Sequence, residues 1–258
     1  MQGVSAQDDI FLLNKFSKYG KEKERIVINY DHDSRLVEKL KSTYNDFPQN
    51  EASEFRTLVN IRKWVNKYLY FQNVSFLEEF RESNWNTLFV LELMKKKPFL
   101  CDCGTYSMVL TEILLSMGYK AKWIQCLPLD LRYVECHTVV QVFVNELNKW
   151  IVLDPAFNCC YYNSKGIAMD LSEMRKSLIK SEKIQIPFCP VERKKMILDY
   201  WTKNIFRFRC LDNYCFGFIG RAKKNYLYLH PNGYTIIDKA YNNEKHIYFY
   251  NDDIYWNS

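Results

Sequence analysis

The chain has 258 residues, 48% of them hydrophobic and 26% charged, with a net charge of +6. That is enough for one large domain, or one domain with an extension, around a substantial core. The basic residues are dispersed: KEKER (21–25) mixes both signs and MKKKP (94–98) reads as a helix ending in cations, so solvated faces are expected and nucleic-acid binding is not. No window reaches the apolar length of a membrane span, which argues against a membrane role. The opening MQGVSAQDDIFLLNKF lacks a cationic start followed by a long apolar run, so no secretory leader is expected. Nine cysteines cannot all pair, and a cytoplasmic protein with free thiols is the economical expectation.

In chain order, RIVINY (25–30) can form a strand and SRLVEKLKSTY (34–44) a short helix. Leu58, Ile61, Val65 and Tyr68 recur at helical spacing within 50–70. A further helix is expected over 83–96, stopped by Pro98. The clearest helix lies in CDCGTYSMVLTEILLSMGYKAKW (101–123), where Tyr106, Val109, Leu110, Ile113, Leu114 and Met117 make one apolar stripe. Its expected character is amphipathic, with Gly118 at the left-handed C-terminal cap. AKWIQC (121–126) reads as a strand, and HTVVQVFV (137–144), NELN and KWIVLD (149–154) as a hairpin. Two helices are expected within 170–201. Beyond 204 the chain turns to short aromatic strands, with NYLYLHPNGYTIID (225–238) read as a hairpin around Pro-Asn-Gly.

Cys103 falls in the first turn of the helix that follows it, where unpaired N–H groups and the helix dipole favour an anion. A thiolate nucleophile needs a base, and the base an orienting partner. If NELN is a four-residue loop, Val144 pairs with Lys149 and Asp154 lies opposite Val139. His137 and Val139 share a face, so His137 and Asp154 become diagonal neighbours within hydrogen-bond reach. Asp154 can then fix the tautomer of His137, and His137 can hold the Cys103 proton. The plainer alternative is that Asp154 starts the turn before Pro155 and His137 is an ordinary strand histidine; the three together favour chemistry.

These pieces resemble the transglutaminase-like superfamily, whose papain-like catalytic core is shared with peptide N-glycanases and certain bacterial proteases. The family pattern C-x-x-Y-A, then a small-residue turn, is similar to CGTYS and MGYKA here. Its histidine strand, turn and W-x-x-x-D-P are similar to HTVVQVFVNELNKWIVLDP, and IRKWVNKYLY resembles the helix that precedes the family's cysteine. The resemblance covers about 55–160. It implies an α+β cysteine enzyme with Cys103 as nucleophile, His137 as general base and acid, Asp154 as orienting carboxylate and Trp150 as the strand tryptophan. Three positions depart from the pattern: Cys101 stands for a glycine, and Val139 and Gln141 for a tryptophan and a glutamate. The second oxyanion donor that the family commonly supplies upstream is nominated as Tyr70 or Trp85, beside the N–H of Cys103.

The expected organisation is a catalytic domain over 1–200 and an aromatic, β-rich extension over 201–258 packed on it. The expected chemistry is acyl transfer through a thioester, on an amide of a peptide or protein or on an acyl-carrier thioester, with an amine or water as acceptor. The rival reading is an inactive binding or scaffolding module, with the C-terminal extension as a protein-partner surface. Cys101 either packs or resolves an oxidised Cys103, with packing favoured, and Cys136 should face away from His137. Cys159 and Cys160 lack the companion pair that structural zinc requires, and no loop has EF-hand spacing, so no metal or cofactor is expected. His230 and His246 are expected to be structural.

Overall fold

The structure is a computed structural model that describes residues 6–21, 26–71, 85–96, 100–129, 136–221, 223–234 and 244–258. In chain order the elements are α1 (Ala6–Lys15), β1 (Asn29–Tyr30), α2 (Arg35–Thr43), α3 (Glu54–Tyr68), β2 (Tyr70–Phe71), α4 (Thr87–Lys96), β3 (Leu100–Cys101) and α5 (Cys103–Ser116). There follow β4 (Ala121–Leu127), β5 (His137–Val144), β6 (Lys149–Asp154), β7 (Cys159–Cys160), α6 (Leu171–Ile179) and α7 (Val191–Asn204). The chain ends with β8 (Arg207–Leu211), β9 (Asn213–Tyr214), β10 (Lys224–Leu229), β11 (Glu244–Phe249) and α8 (Asp252–Trp256). The fold is mixed α+β.

A seven-stranded sheet in the order β11-β10-β8-β4-β5-β6-β7 organises it. All its neighbours run antiparallel except β10 and β11, which are parallel. The aromatic strands after 204 therefore continue the sheet that carries His137 and Asp154, and the 200/201 boundary falls inside α7. The hairpin expected over 225–238 does not form around β10. Both of its edges are taken, one by β8 and the other by β11, and residues 235–238 lie outside the described ones. RIVINY yields only the two-residue β1, paired in parallel with β9.

Helix α5 packs on β4 and β5 on one side and against α2, α3 and α4 on the other. It is not amphipathic, as its apolar stripe suggested, because every residue from Thr105 to Ser116 is buried. Much of its polar side is satisfied from neighbouring elements, Thr111 Oγ1 having no partner among the described residues. Ser107 Oγ donates to Thr138 O at 2.8 Å, Ser116 Oγ accepts from Val37 N at 3.0 Å, and Glu112 accepts from Thr87 N and Gly217 N, each at 2.8 Å. Gly118, at φ +89°, ends the helix: its N–H donates to Leu115 O and the Tyr119 N–H to Leu114 O, the paired bonds of a Schellman cap.

Candidate active site

The β5–β6 hairpin has the register that a four-residue NELN loop gives, with Val144 opposite Lys149 and Val140 opposite Leu153. A 3-10 turn over Asn145–Leu147 and a left-handed Asn148 (φ +48°) close the loop. Extending that register puts His137 and Asp154 on one face, and there His137 Nε2 lies 2.8 Å from Asp154 Oδ2 with both side chains buried.

Cys103 approaches from the first turn of α5. Its Sγ donates to Cys136 O at 3.7 Å, and its side chain lies close enough to the His137 ring to favour the ring's charged form. With Nε2 engaged by Asp154, Nδ1 is the nitrogen left to meet the thiol. Cys103 is half-buried, whereas His137 and Asp154 are closed off from solvent. The sulfur is thus the member of the three that an outside molecule can reach.

Asp102 caps the start of α5, accepting from Thr105 N at 2.7 Å and approached also by Gly104 N. The first-turn N–H groups of residues 104 and 105 are therefore spoken for, while no described acceptor takes that of Cys103. An N–H at the helix start with no acceptor among the described residues, beside the thiol, suits a developing oxyanion.

The electrostatics of the row follow from its partners. Burial works against a charged His137 ring, but the Asp154 carboxylate, its hydrogen bond and the Cys103 side chain outweigh it and raise His137 to about 10. For Asp154, burial pushes upward and is overcome by His137 and by hydrogen bonds from His137, Tyr161 and the Phe157 N–H, so it stays below the usual carboxylate range. Phe157 N lies 2.9 Å from Asp154 Oδ1, and Tyr161 Oη donates to Oδ2 at 2.6 Å. The imidazole sits among aromatic rings: Phe157 stacked at 4.8 Å, and Tyr200 and Trp201 edge-on at 5.4 and 5.1 Å. Tyr200 Oη also donates to Cys136 O at 3.0 Å. This shell keeps water from the Asp154–His137 bond and holds the ring in one plane.

Cys103, His137 and Asp154 are thus brought together. Trp85 is buried, with its ring 5.9 Å from that of Phe89 in α4. Tyr70 pairs through its backbone with Leu100, beside the strand that leads into Cys103. Cys101 is buried, and burial, reinforced by the Asp102 charge, pushes its thiol up to about 12. Cys136 Sγ accepts from Gln125 Nε2 at 3.8 Å, on the sheet face opposite His137. Gln141 caps α6 by accepting from Leu171 N at 2.8 Å. Cys160 accepts from Arg62 Nη1 at 3.2 Å. Among the described residues, no group of three or more His, Cys, Asp or Glu side chains is arranged to hold a metal ion.

Sequence reasoning missed Asp102, Phe157, Tyr161, Tyr200 and Trp201. An N-cap aspartate before a helix is a readable signal, and Asp102 could have been found. The four aromatic residues carry no such pattern, since loops and helix α7 bring them in.

No family model matches the chain, and no curated protein matches it. Among solved structures, the chain is similar to one from Cytophaga hutchinsonii, called "a Putative Cysteine Protease", at 12% identity and a TM-score of 0.34. The match covers 49% of this chain and 40% of that one. The chain thus spans about two fifths of the length of that neighbour.

Proposed function

We propose that the protein is a cysteine-dependent acyl-transfer enzyme with Cys103 as nucleophile, His137 as proton carrier and Asp154 as the carboxylate that orients it. The observation that carries this reading is a buried histidine bonded to a carboxylate at 2.8 Å, beside a half-buried thiol that bonds the carbonyl of the residue preceding that histidine. The Cys103 sulfur, its proton already held on His137, attacks a carbonyl carbon as the thiolate and forms a C–S bond. His137 then delivers that proton to the departing amine, alcohol or thiol as the old acyl bond breaks. In the second half, His137 takes a proton from water or an amine, the new nucleophile forms its bond, and C–S breaks to return the thiolate with the proton on His137. The peptide, protein or acyl-carrier donors expected from the sequence all fit this cycle, as do hydrolysis and transfer.

The test is mass spectrometry of the whole protein after brief mixing with p-nitrophenyl acetate. The expected result is one acetyl group on Cys103, discharged by hydroxylamine, absent in Cys103→Ala and slow to form in His137→Ala. Acetylation spread over several cysteines and indifferent to His137, in folded protein, would overturn the reading.

A further inference from the structure

The sheet has a second polar cluster one row from His137, on the opposite face. In that row Arg209 of β8, Gln125 of β4 and Thr138 of β5 are paired across the strands, so their side chains share a face. It is the face on which α5 lies, since Trp123, two residues before Gln125, donates from its indole to Gly104 O at 3.1 Å. Cys136 links this row to the thiol: its Sγ meets Gln125 Nε2 at 3.8 Å while its carbonyl accepts from Cys103 Sγ at 3.7 Å.

Arg209 is half-buried, and its described partners are all neutral. Nε donates to Gln125 Oε1 at 2.5 Å, Nη2 to the same oxygen, and Nη1 to Tyr228 Oη at 3.0 Å. The guanidinium also lies over the rings of Tyr226 and Tyr228, at 4.6 and 5.7 Å. Among the described residues no carboxylate pairs with it. Lys224, which feels the Arg209 charge, is matched by Glu244 directly across the β10–β11 ladder. A guanidinium has five N–H groups. Three are engaged here, which leaves one on each terminal nitrogen, the pair that grips a carboxylate through two parallel bonds. A structural arginine at low solvent exposure ordinarily has an anion to balance it; this one is held in place, flanked by rings, without a carboxylate partner among the described residues, and linked to the Cys103 sulfur through Gln125 and Cys136.

We infer that Arg209, held in place by Gln125 and Tyr228, is a carboxylate-recognition subsite, so that Cys103 acts on acyl donors bearing an acidic side chain or terminal carboxylate a few bonds from the reacting carbonyl. The inference rests on the acyl-transfer reading for its biological meaning, but its test does not depend on it. The probes are N-bromoacetyl derivatives of glycine, β-alanine and γ-aminobutyrate, each as the acid and as the neutral amide, and the readout is the acid-to-amide ratio of labelling rates at Cys103. At one chain length the ratio should favour the acid about tenfold, the worth of a charge-assisted bidentate pair. It should fall to the background in Arg209→Met and keep part of its value in Arg209→Lys, which has the charge without the fork. The background, set by the overall charge of +6, is read at half-buried Cys189. Because the ratio is taken within each variant, a general loss of reactivity cancels.

A ratio at background for all three lengths, or one unchanged in Arg209→Met, overturns the subsite. His137-dependent amide labelling with no acid preference removes the subsite and leaves the acyl-transfer reading standing. An Arg209-dependent preference at a Cys103 that is no faster than the other thiols supports the subsite and removes the enzyme.

Discussion

Asp154 and Glu112 are both carboxylates with almost no solvent contact, and their surroundings push them in opposite directions. Asp154 meets an ionisable ring, a phenol and an amide, and is held below the usual range. Glu112, in the middle of α5, meets the Thr87 and Gly217 amides; burial dominates, these bonds only partly offset it, and it rises to about 7. Burial alone therefore does not mark a site in this molecule. A cationic partner does, because it makes the charged form the stable one. The Glu112 region is a structural joint between α4, α5 and the turn at Gly217, and the Asp154 region is a buried charged pair close to Cys103.

Removing one partner of the charged pair should have the largest effect. Asp154→Ala leaves the buried His137 without its counter-ion, and a loss of about 3–5 kcal/mol is expected from urea unfolding near pH 6. A loss under about 1 kcal/mol would show that the pair is not charged in the folded protein, and the contrast with Glu112 would collapse.

The next effect lies in the pH dependence, and the two regions occupy different windows. Glu112 has a folded value raised from 4.5 to about 7. Between these values the folded state binds more protons than the unfolded one, so stability falls as pH rises, by about 3 kcal/mol in all. Glu112→Gln should flatten that slope between pH 4.5 and 7, whatever the single unpaired amide N–H it leaves costs at every pH. His137 is raised from 6.5 to about 10. Its contribution is complete below pH 6.5 and disappears toward pH 10, so His137→Ala should flatten only that upper window. The Asp154 contribution is present above its ordinary value of 3.8 and fades below it. Unfolding curves from pH 4 to 10 that kept the wild-type shape in either variant would assign the slope to other groups.

The His137–Asp154 pair was legible in the sequence and the joint was not, for a physical reason. A hairpin with a counted loop fixes register, and register with alternation fixes which side chains meet; that is how His137 and Asp154 could be placed from residue numbers alone. Cys103 followed from a strong helix start. Glu112 looked like a solvent-side residue because the periodicity of α5 reports one apolar stripe and says nothing of what covers the other side. The cover comes from α4 and from the turn at Gly217, 105 residues along the chain. The aromatic shell of His137 was hidden for the same reason: Tyr200 and Trp201 belong to α7 and reach the ring only through tertiary packing. The misread hairpin after β10 is a related error, since turn chemistry shows where a chain can reverse but not whether a neighbouring edge is free.

The smallest effect is the most specific to the pair. Tyr161 Oη donates to Asp154 Oδ2 at 2.6 Å, and its buried ring packs edge-on against Trp201 at 5.4 Å. Tyr161→Phe removes the hydroxyl and keeps the packing, so stability should fall by only about 1 kcal/mol. Asp154 would then be held by His137 and the Phe157 N–H alone, and its carboxylate should move back up toward its ordinary range. The acid limb of Cys103 labelling should shift to higher pH in step, with a drop of about three- to tenfold on that limb and little change on the plateau. A packing residue would lower stability and leave the limb where it was. If the limb does not move, Asp154 owes its charge to His137 and the Phe157 N–H without help from Tyr161, and the phenol drops out of the difference from Glu112.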